Sequence, residues 1–420
     1  MATATYTPSR SDTDLTGVWR RVQKGVVVAA QFGVEEWNSL LKAKRFTVDW
    51  SARQISMELD ITDDYGTAMI PEGGKEGRPS SPNTVEATLT WVLANKRFTV
   101  SKTAQYIAQR TPAAMLEDQL RYQARKALQG IRRKFGDMFY GFSTGTVAIA
   151  SASATSGIAI KDIYGLANLG SVSANRRAAD LFVPGDYVAA LNPTGPALRA
   201  APVQVTSVVR STNFLSVVGD ASVVASDLIV FANNLENTTL AGGTERNQHL
   251  IGMLDAITST SLHGVSSATY GRWAAARNDA TGGRFTGIKL RKLKQDIQNK
   301  GGGELDTIWW ANGVENDVVA QLQAGLRFDD AFSLEMDGKP VSKGVTFNTS
   351  RRVPDGYVFG FDKSNSVQRM TLLPEPDAPS FADGDKLQDD SGLVFSIDYP
   401  AALVYTNRQN MGLFSSLTQL

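Results

Sequence analysis

Several short stretches of the chain carry residue types whose spacing could do chemistry. Gly301, Gly302 and Gly303 make a run of the kind that cradles phosphate, and Gly141-Phe142-Ser143-Thr144-Gly145 matches the GxSxG of a serine nucleophile elbow. A phosphate loop must leave a strand and open a helix, so that free N–H groups and the positive dipole end face the anion. Here the order is reversed. Leu290, Leu293 and Ile297 recur at helical spacing before the glycines, and Thr307-Ile308-Trp309-Trp310-Ala311 has strand character after them. The run is read as a chain reversal, with Gly301 in the left-handed conformation that ends a helix and Lys300 at the helix's negative end.

The elbow needs a strand before its serine and a helix after it. A long helical pattern precedes Ser143 instead, and TVAIASASATSG follows with poor helical character. The base would have to be His249 or His263, both in polar or Gly-Ser surroundings without a distinctive Asp partner. With two histidines and no cysteine, a structural or catalytic zinc site is not expected and no thiolate nucleophile is supplied. Asp383, Asp385, Asp389 and Asp390 could gather a hard cation, but their spacing fails the EF-hand pattern and they read as a solvated acidic loop. Trp309 and Trp310 are expected to set one face in a core and one at a lobe junction, rather than to form a sugar platform. No metal, cofactor or catalytic set assembles.

The elements that would position these residues follow in a distinctive order. Residues 1–33 read as an extended arm laid against another surface. Phe46, Val48 and Trp50 alternate with polar residues, then Ile55, Met57, Leu59 and Ile61 alternate in the opposite parity, which predicts a bulge or twist between Ser51 and Gln54. Val85, Ala87, Leu89, Trp91 and Leu93 form the return arm of a long β-hairpin, whose tip over 64–83 is rich in Gly, Pro and Ser. With arms of roughly sixteen residues the hairpin would reach about 50 Å and would need a surface outside its own domain to lie on. Lys44-Arg45-Phe46-Thr47-Val48 and Lys96-Arg97-Phe98-Thr99-Val100 are identical pentapeptides, which would put like strands at both hairpin roots.

Thr111 and Pro112 then open a long amphipathic helix with an apolar stripe from Met115 to Phe139. Its polar face carries Arg121, Arg125, Lys126, Arg132, Arg133 and Lys134, read as a solvated face in preference to a nucleic-acid surface. From about 145 to 240, short turn-separated strands have the pattern of a small sandwich or barrel, an inserted lobe. An α/β stretch over about 285–370 adds a helix capped by Asn312 with Glu315 three residues on, and a Pro354-Asp355-Gly356 turn. An acidic loop, PEPDAPSFADGDKLQDD, leads into a last strand, GLVFSIDYPAALVY.

Composition bounds the reading. The 420 residues are 42% hydrophobic and 20% charged, values of a globular protein of two to four lobes. Forty-three basic against forty-two acidic residues give a net charge of +1, which argues against a broad basic surface built to wrap nucleic acid and leaves transient or patchy contact open. The first residues lack the apolar core of a signal peptide and no stretch is long enough to span a bilayer, so a cytosolic product without a membrane partner is expected.

This order of parts resembles the major capsid protein of tailed bacteriophages. The texture is similar in VQVTSVVRSTNFLSVVGD, in IGMLDAI followed by TYGRWAA, in KLKQDIQNKGGGELDTIWWANG and in GVTFNTSRRVPDGYVFGFD. The resemblance implies an α+β fold: an N-terminal arm (1–33), an extended loop (34–110), a spine helix of the peripheral domain (111–144), a β-rich lobe (145–245, an insertion or an enlarged peripheral domain), an axial domain (246–375) and a return segment (376–420). It implies that the extended loop lies on an adjacent subunit through Phe46, Val48, Trp50, Tyr65, Lys75, Arg78 and Trp91. The loop Arg327-Phe328-Asp329-Asp330 would then point to the capsomer axis. Lys75 is the candidate donor for the isopeptide crosslinks some members form. The implied function is structural: hexameric and pentameric capsomers closing into an icosahedral head around double-stranded DNA, assembled in the host cytoplasm and retained in the virion. Implied partners are further copies of the chain, a scaffolding protein, a portal, a decoration protein and, weakly, the packaged DNA. The alternatives are a hydrolase using Ser143, or a tail or portal protein.

Overall fold

The structure is a computed structural model of the chain. It describes residues 39–42, 47–49, 54–60, 72, 84–101, 113–142, 144–153, 157–166, 178–194, 199, 202–219, 222–232, 250–279, 283–324, 333–334, 340–342, 344–371, 380–386 and 392–418. Strands β1 (Leu41–Lys42), β2 (Thr47–Asp49), β3 (Gln54–Asp60), β4 (Thr84–Thr90) and β5 (Val92–Ser101) precede helix α1 (Ala113–Phe139). Next come β6 (Thr146–Ala150), β7 (Gly157–Ile163), β8 (Tyr187–Leu191), β9 (Val203–Val209), β10 (Phe214–Val218) and β11 (Leu228–Phe231). The rest comprises α2 (Met253–Thr258), β12 (Ser261–Leu262), β13 (Val265–Ser266), β14 (Ala276–Asp279), α3 (Gly287–Gly301), β15 (Thr307–Trp310), α4 (Asn312–Ala324), β16 (Ser333–Leu334), β17 (Pro340–Val341), β18 (Thr346–Thr349), β19 (Val358–Phe361), β20 (Val367–Thr371), β21 (Ser380–Lys386), β22 (Gly392–Tyr405) and β23 (Met411–Ser415).

The chain divides into two compact units, one of 1–40, 92–136 and 369–402, the other of 41–91, 137–368 and 403–420. In the first, β5 pairs antiparallel with β22 from Ser101↔Gly392 to Val92↔Ala401, and β21 pairs with the opposite edge of β22. The acidic segment read as a loop is thus partly a strand. Its Asp385 faces Val394 after a register shift between Ala382 and Asp385, Asp383 lies in that irregularity, and Asp389 and Asp390 lie outside the described residues. Most of α1 belongs to this unit; its 27 residues give a rod of about 40 Å. Ala124, Ala127, Leu128, Ile131 and Phe135 are buried at the expected helical spacing, and Phe135 meets Tyr399 edge-on at 5.6 Å.

In the second unit β2, β3 and β4 form a three-stranded antiparallel sheet. The change of parity near residue 50 is a chain reversal rather than a bulge: Thr47 pairs with Ser56, and Asp49 with Gln54. The paired arms are also shorter than expected. β3 and β4 have seven residues each, about 23 Å, and beyond Trp91 the chain leaves this sheet as β5 and pairs with β22. The repeated pentapeptides therefore end in different sheets. Ile55, Met57, Leu59, Ala87 and Leu89 share one face and are buried within the chain, so that face does not wait for a neighbouring subunit.

Strands β6 to β11 close into a six-stranded barrel in the order β10-β7-β6-β11-β8-β9. Alternation fills it with Val147, Ile158, Ile160, Val188, Val205, Leu215 and Ile229, all buried. The remaining core is a five-stranded mixed sheet, β14-β23-β19-β15-β18, against which α3 packs. The Pro354-Asp355-Gly356 turn does link β18 to β19, with Gly356 at φ 78°, but the two are not neighbours; β15 lies between them, parallel to β18 and antiparallel to β19. Asn312 is already helical, so the expected capping box does not form: Ala311 supplies the first carbonyl, to Val314 N and Glu315 N, and Glu315 accepts from Thr349 Oγ1 at 2.6 Å.

Candidate functional site

The glycine run is a packing seam. Gly301 ends α3, and Gly302 rather than Gly301 takes the left-handed conformation (φ 66°), its N–H reaching Gln298 O. A Cβ at either Gly301 or Gly303 would run into the Asn410 side chain, so the glycines let the α3 terminus close on the segment before β23. Lys300 donates to Ala275 O at 3.1 Å. The N–H groups needed for an anion are on the wrong end of the helix.

Of the flanking glycines of the GxSxG pattern, Gly145 takes a left-handed turn (φ 71°) with its N–H donating to Phe142 O, and Gly141 sits where two chain segments cross. Gly141 N donates to Met138 O at the end of α1, and a Cβ on Gly252 would strike the Gly141 backbone, so this corner is a close crossing of two chain segments. Ser143 and His249 lie outside the described residues. His263 does not stand in polar surroundings. It forms the tight β12–β13 turn with φ 54°, and its ring is buried against Tyr405 at 5.7 Å between centroids. Burial, then the charge of Arg408, push its pKa down to about 3, which keeps the ring neutral.

This buried cluster holds the base of the three-stranded sheet. Arg408 donates from Nε to Ala256 O and from Nη2 to Ser259 O, both at 2.6 Å, and Arg277 Nε reaches Ile257 O at 2.9 Å, so two cations satisfy the carbonyls at the end of α2. Tyr405 donates to Ile251 O at 2.9 Å, and Trp273 lies 5.7 Å from the Arg408 guanidinium. The turn so fixed accepts from β4: Thr88 N donates to His263 O at 3.0 Å. Burial raises the Tyr405 pKa well above the usual range, and with His263, Tyr405 and Arg408 buried, while Arg277 is exposed, the cluster serves as an anchor. Sequence reasoning named His263 but missed Tyr405 and Arg408, which lie far along the chain in unremarkable surroundings.

Phe46, Trp50, Tyr65, Lys75, Arg78, Arg327, Phe328, Asp329 and Asp330 lie outside the described residues; Val48 sits in β2, and Trp91 is half-buried between β4 and β5. Both Trp309 and Trp310 are fully buried. Trp309 packs on Phe139, Tyr140 and Phe361, while Trp310 stacks on Phe347 at 4.6 Å and donates to Thr349 Oγ1. Among the described residues no group of His, Asp or Glu could hold a metal ion, and no helix is long and apolar enough to cross a membrane.

No family profile and no curated protein matches the sequence. Solved structures do. The capsid asymmetric unit of cyanophage A-1(L) matches at 11% identity over 94% of this chain and 93% of that one, with a TM-score of 0.53. The capsid of a native GTA particle matches over 99% and 94% at 9% identity with a TM-score of 0.42, and a virus-like particle from Pyrococcus furiosus over 94% and 98% at 7% with 0.39. The cyanophage likeness carries the fold: the chain is a mixed helix and strand protein with the fold of a phage capsid protein.

Proposed function

We propose that the chain is the major capsid protein of a tailed bacteriophage, a structural protein and not an enzyme. It would assemble through hexameric and pentameric capsomers into an icosahedral head around double-stranded DNA. The observation that carries this reading is the fold match to a capsid asymmetric unit along 94% of the chain. The order of parts supports it. On this reading 34–110 is the extended loop, α1 the spine helix, the barrel an inserted lobe, and 246–375 the axial domain with Arg327-Phe328-Asp329-Asp330 at the capsomer axis. The working location is the virion. Partners are further copies of the chain, a scaffolding protein, a portal and a decoration protein, with weak contact to DNA.

A shell subunit must bury an obligate-sized interface, on the order of 2,000–5,000 Å² at its major contacts. The β3–β4 hairpin tip is the segment assigned to that task. Deleting residues 65–81 tests it by sedimentation: the variant should fold and remain as subunits where the wild type forms shells. A deletion variant that assembles like the wild type contradicts the assignment.

A further inference from the structure

The anchor around His263 holds several buried polar atoms that its own hydrogen bonds do not satisfy. Arg408 Nε and Nη2 are taken by Ala256 O and Ser259 O, but Arg408 Nη1, Trp273 Nε1 and both ring nitrogens of His263 have no hydrogen-bond partner among the described residues. All three side chains are buried. They also lie together. The Arg408 guanidinium stands over the Trp273 ring at 5.7 Å, the short helical turn Gly271–Trp273 packs on the turn Arg408–Asn410, and His263 is close enough to feel the Arg408 charge. Buried polar groups are nearly always paired, so orphans gathered in one place call for a shared partner.

The chemistry of the orphans selects that partner. Arg408 Nη1 carries two N–H groups, Trp273 Nε1 one, and the neutral His263 ring one in either tautomer, against a single imidazole lone pair. Donors dominate. Charge points the same way, because Arg408 is a buried cation whose hydrogen bonds go to two backbone carbonyls. Burial, then the like charge of Arg277, bring its pKa down to about 10, opposed by Asp255 and Tyr405. Tyr405 is kept neutral by its own burial, so half-buried Asp255 is the one carboxylate acting on Arg408, beside exposed Arg277. An incompletely balanced buried charge is costly. An anion would accept the N–H groups and balance the charge; a water would do only the first.

We propose that Arg408 Nη1, Trp273 Nε1 and the His263 ring form a buried site for a small monovalent anion of halide size. Burial of all three side chains limits the ligand to that size. The site lies within one copy of the chain, among the end of α2, the β12–β13 turn and the segment before β23. Its occupant would fix the turn whose His263 O receives Thr88 N of β4 at 3.0 Å.

The test is thermal unfolding of the purified full-length chain at neutral pH and constant ionic strength, with sodium gluconate replaced stepwise by sodium chloride. The protein concentration is one at which the sedimentation state is the same in both salts. Gluconate is too large for the site. Chloride should raise the midpoint saturably, by about 2 °C or more at the plateau, as for a ligand that binds only the native state. Trp273→Phe keeps a buried ring and removes one N–H, so the chloride concentration giving half the rise should increase at least about ten-fold. A wild-type midpoint that is the same in both salts, or that climbs without a plateau, overturns the site and leaves the donors to ordered water. A saturable rise that Trp273→Phe does not alter places the chloride elsewhere and also overturns it. If Trp273→Phe does not fold, wild-type crystals grown in bromide decide. An anomalous peak within hydrogen-bond reach of Arg408 Nη1 supports the site, and a map without one overturns it. None of these outcomes depends on whether the chain builds shells.

Discussion

Leu293 shows how a single side chain fixes a layer. It is fully buried where Gly360 of β19 and Gly412 of β23, direct partners across the ladder, leave a socket in the sheet. A Cβ at Gly360 would come within 2.7 Å of Leu293 and 2.9 Å of Leu305. Leu293→Ala should cost about 2–5 kcal/mol in urea unfolding, by lost burial and a cavity, and Gly360→Ala about 1–3 kcal/mol by overpacking. His263 gives a different signature. Its pKa falls from 6.5 to about 3 on folding, so between those values the unfolded chain binds a proton that the native chain refuses. Its contribution is present above pH 6.5 and is lost as pH falls towards 3. His263→Asn, which tolerates the left-handed turn, should flatten the decline by up to about 1.4 kcal/mol per pH unit relative to wild type. Parallel curves for the two proteins would show that the ring is not held neutral.

The barrel is the element most separable from the rest. Its entering strand β6 and leaving strand β11 are paired, with Thr146 opposite Val230, so the chain enters and leaves within one strand spacing. Replacing 146–231 with a short Gly-Ser linker should leave a cooperatively unfolding remainder, and residues 144–233 alone should fold, because closure removes free edges. Loss of structure in both fragments, seen by circular dichroism, would contradict this. Element type was legible where periodicity was strong: α1 from its stripe, β22 from its apolar run, the barrel strands from their turns. Pairing was not. The reversal at residue 50 looked like a bulge because both flip side-chain parity, and the switch at Trp91 was hidden because β4 and β5 continue one apolar alternation. Adjacency depends on long-range partners such as β22, some three hundred residues away, which local pattern does not encode. The chemical motifs were discounted on order alone, and the close approaches around their glycines, at Asn410 and at Gly141, needed three dimensions.

At the scale of the whole molecule, a near-neutral chain without cysteine, and with no metal-holding group of His, Asp or Glu among its described residues, has the fold of a phage capsid protein. What distinguishes a shell subunit from a monomeric protein of similar composition is surface committed to copies of itself. The most direct measurement is negative-stain electron microscopy with sedimentation on the purified full-length chain, expressed alone and together with the neighbouring head proteins of its phage. Closed shells or ring-shaped capsomers are the predicted result. A monodisperse monomer in both preparations would contradict the account and return attention to Ser143 and hydrolysis.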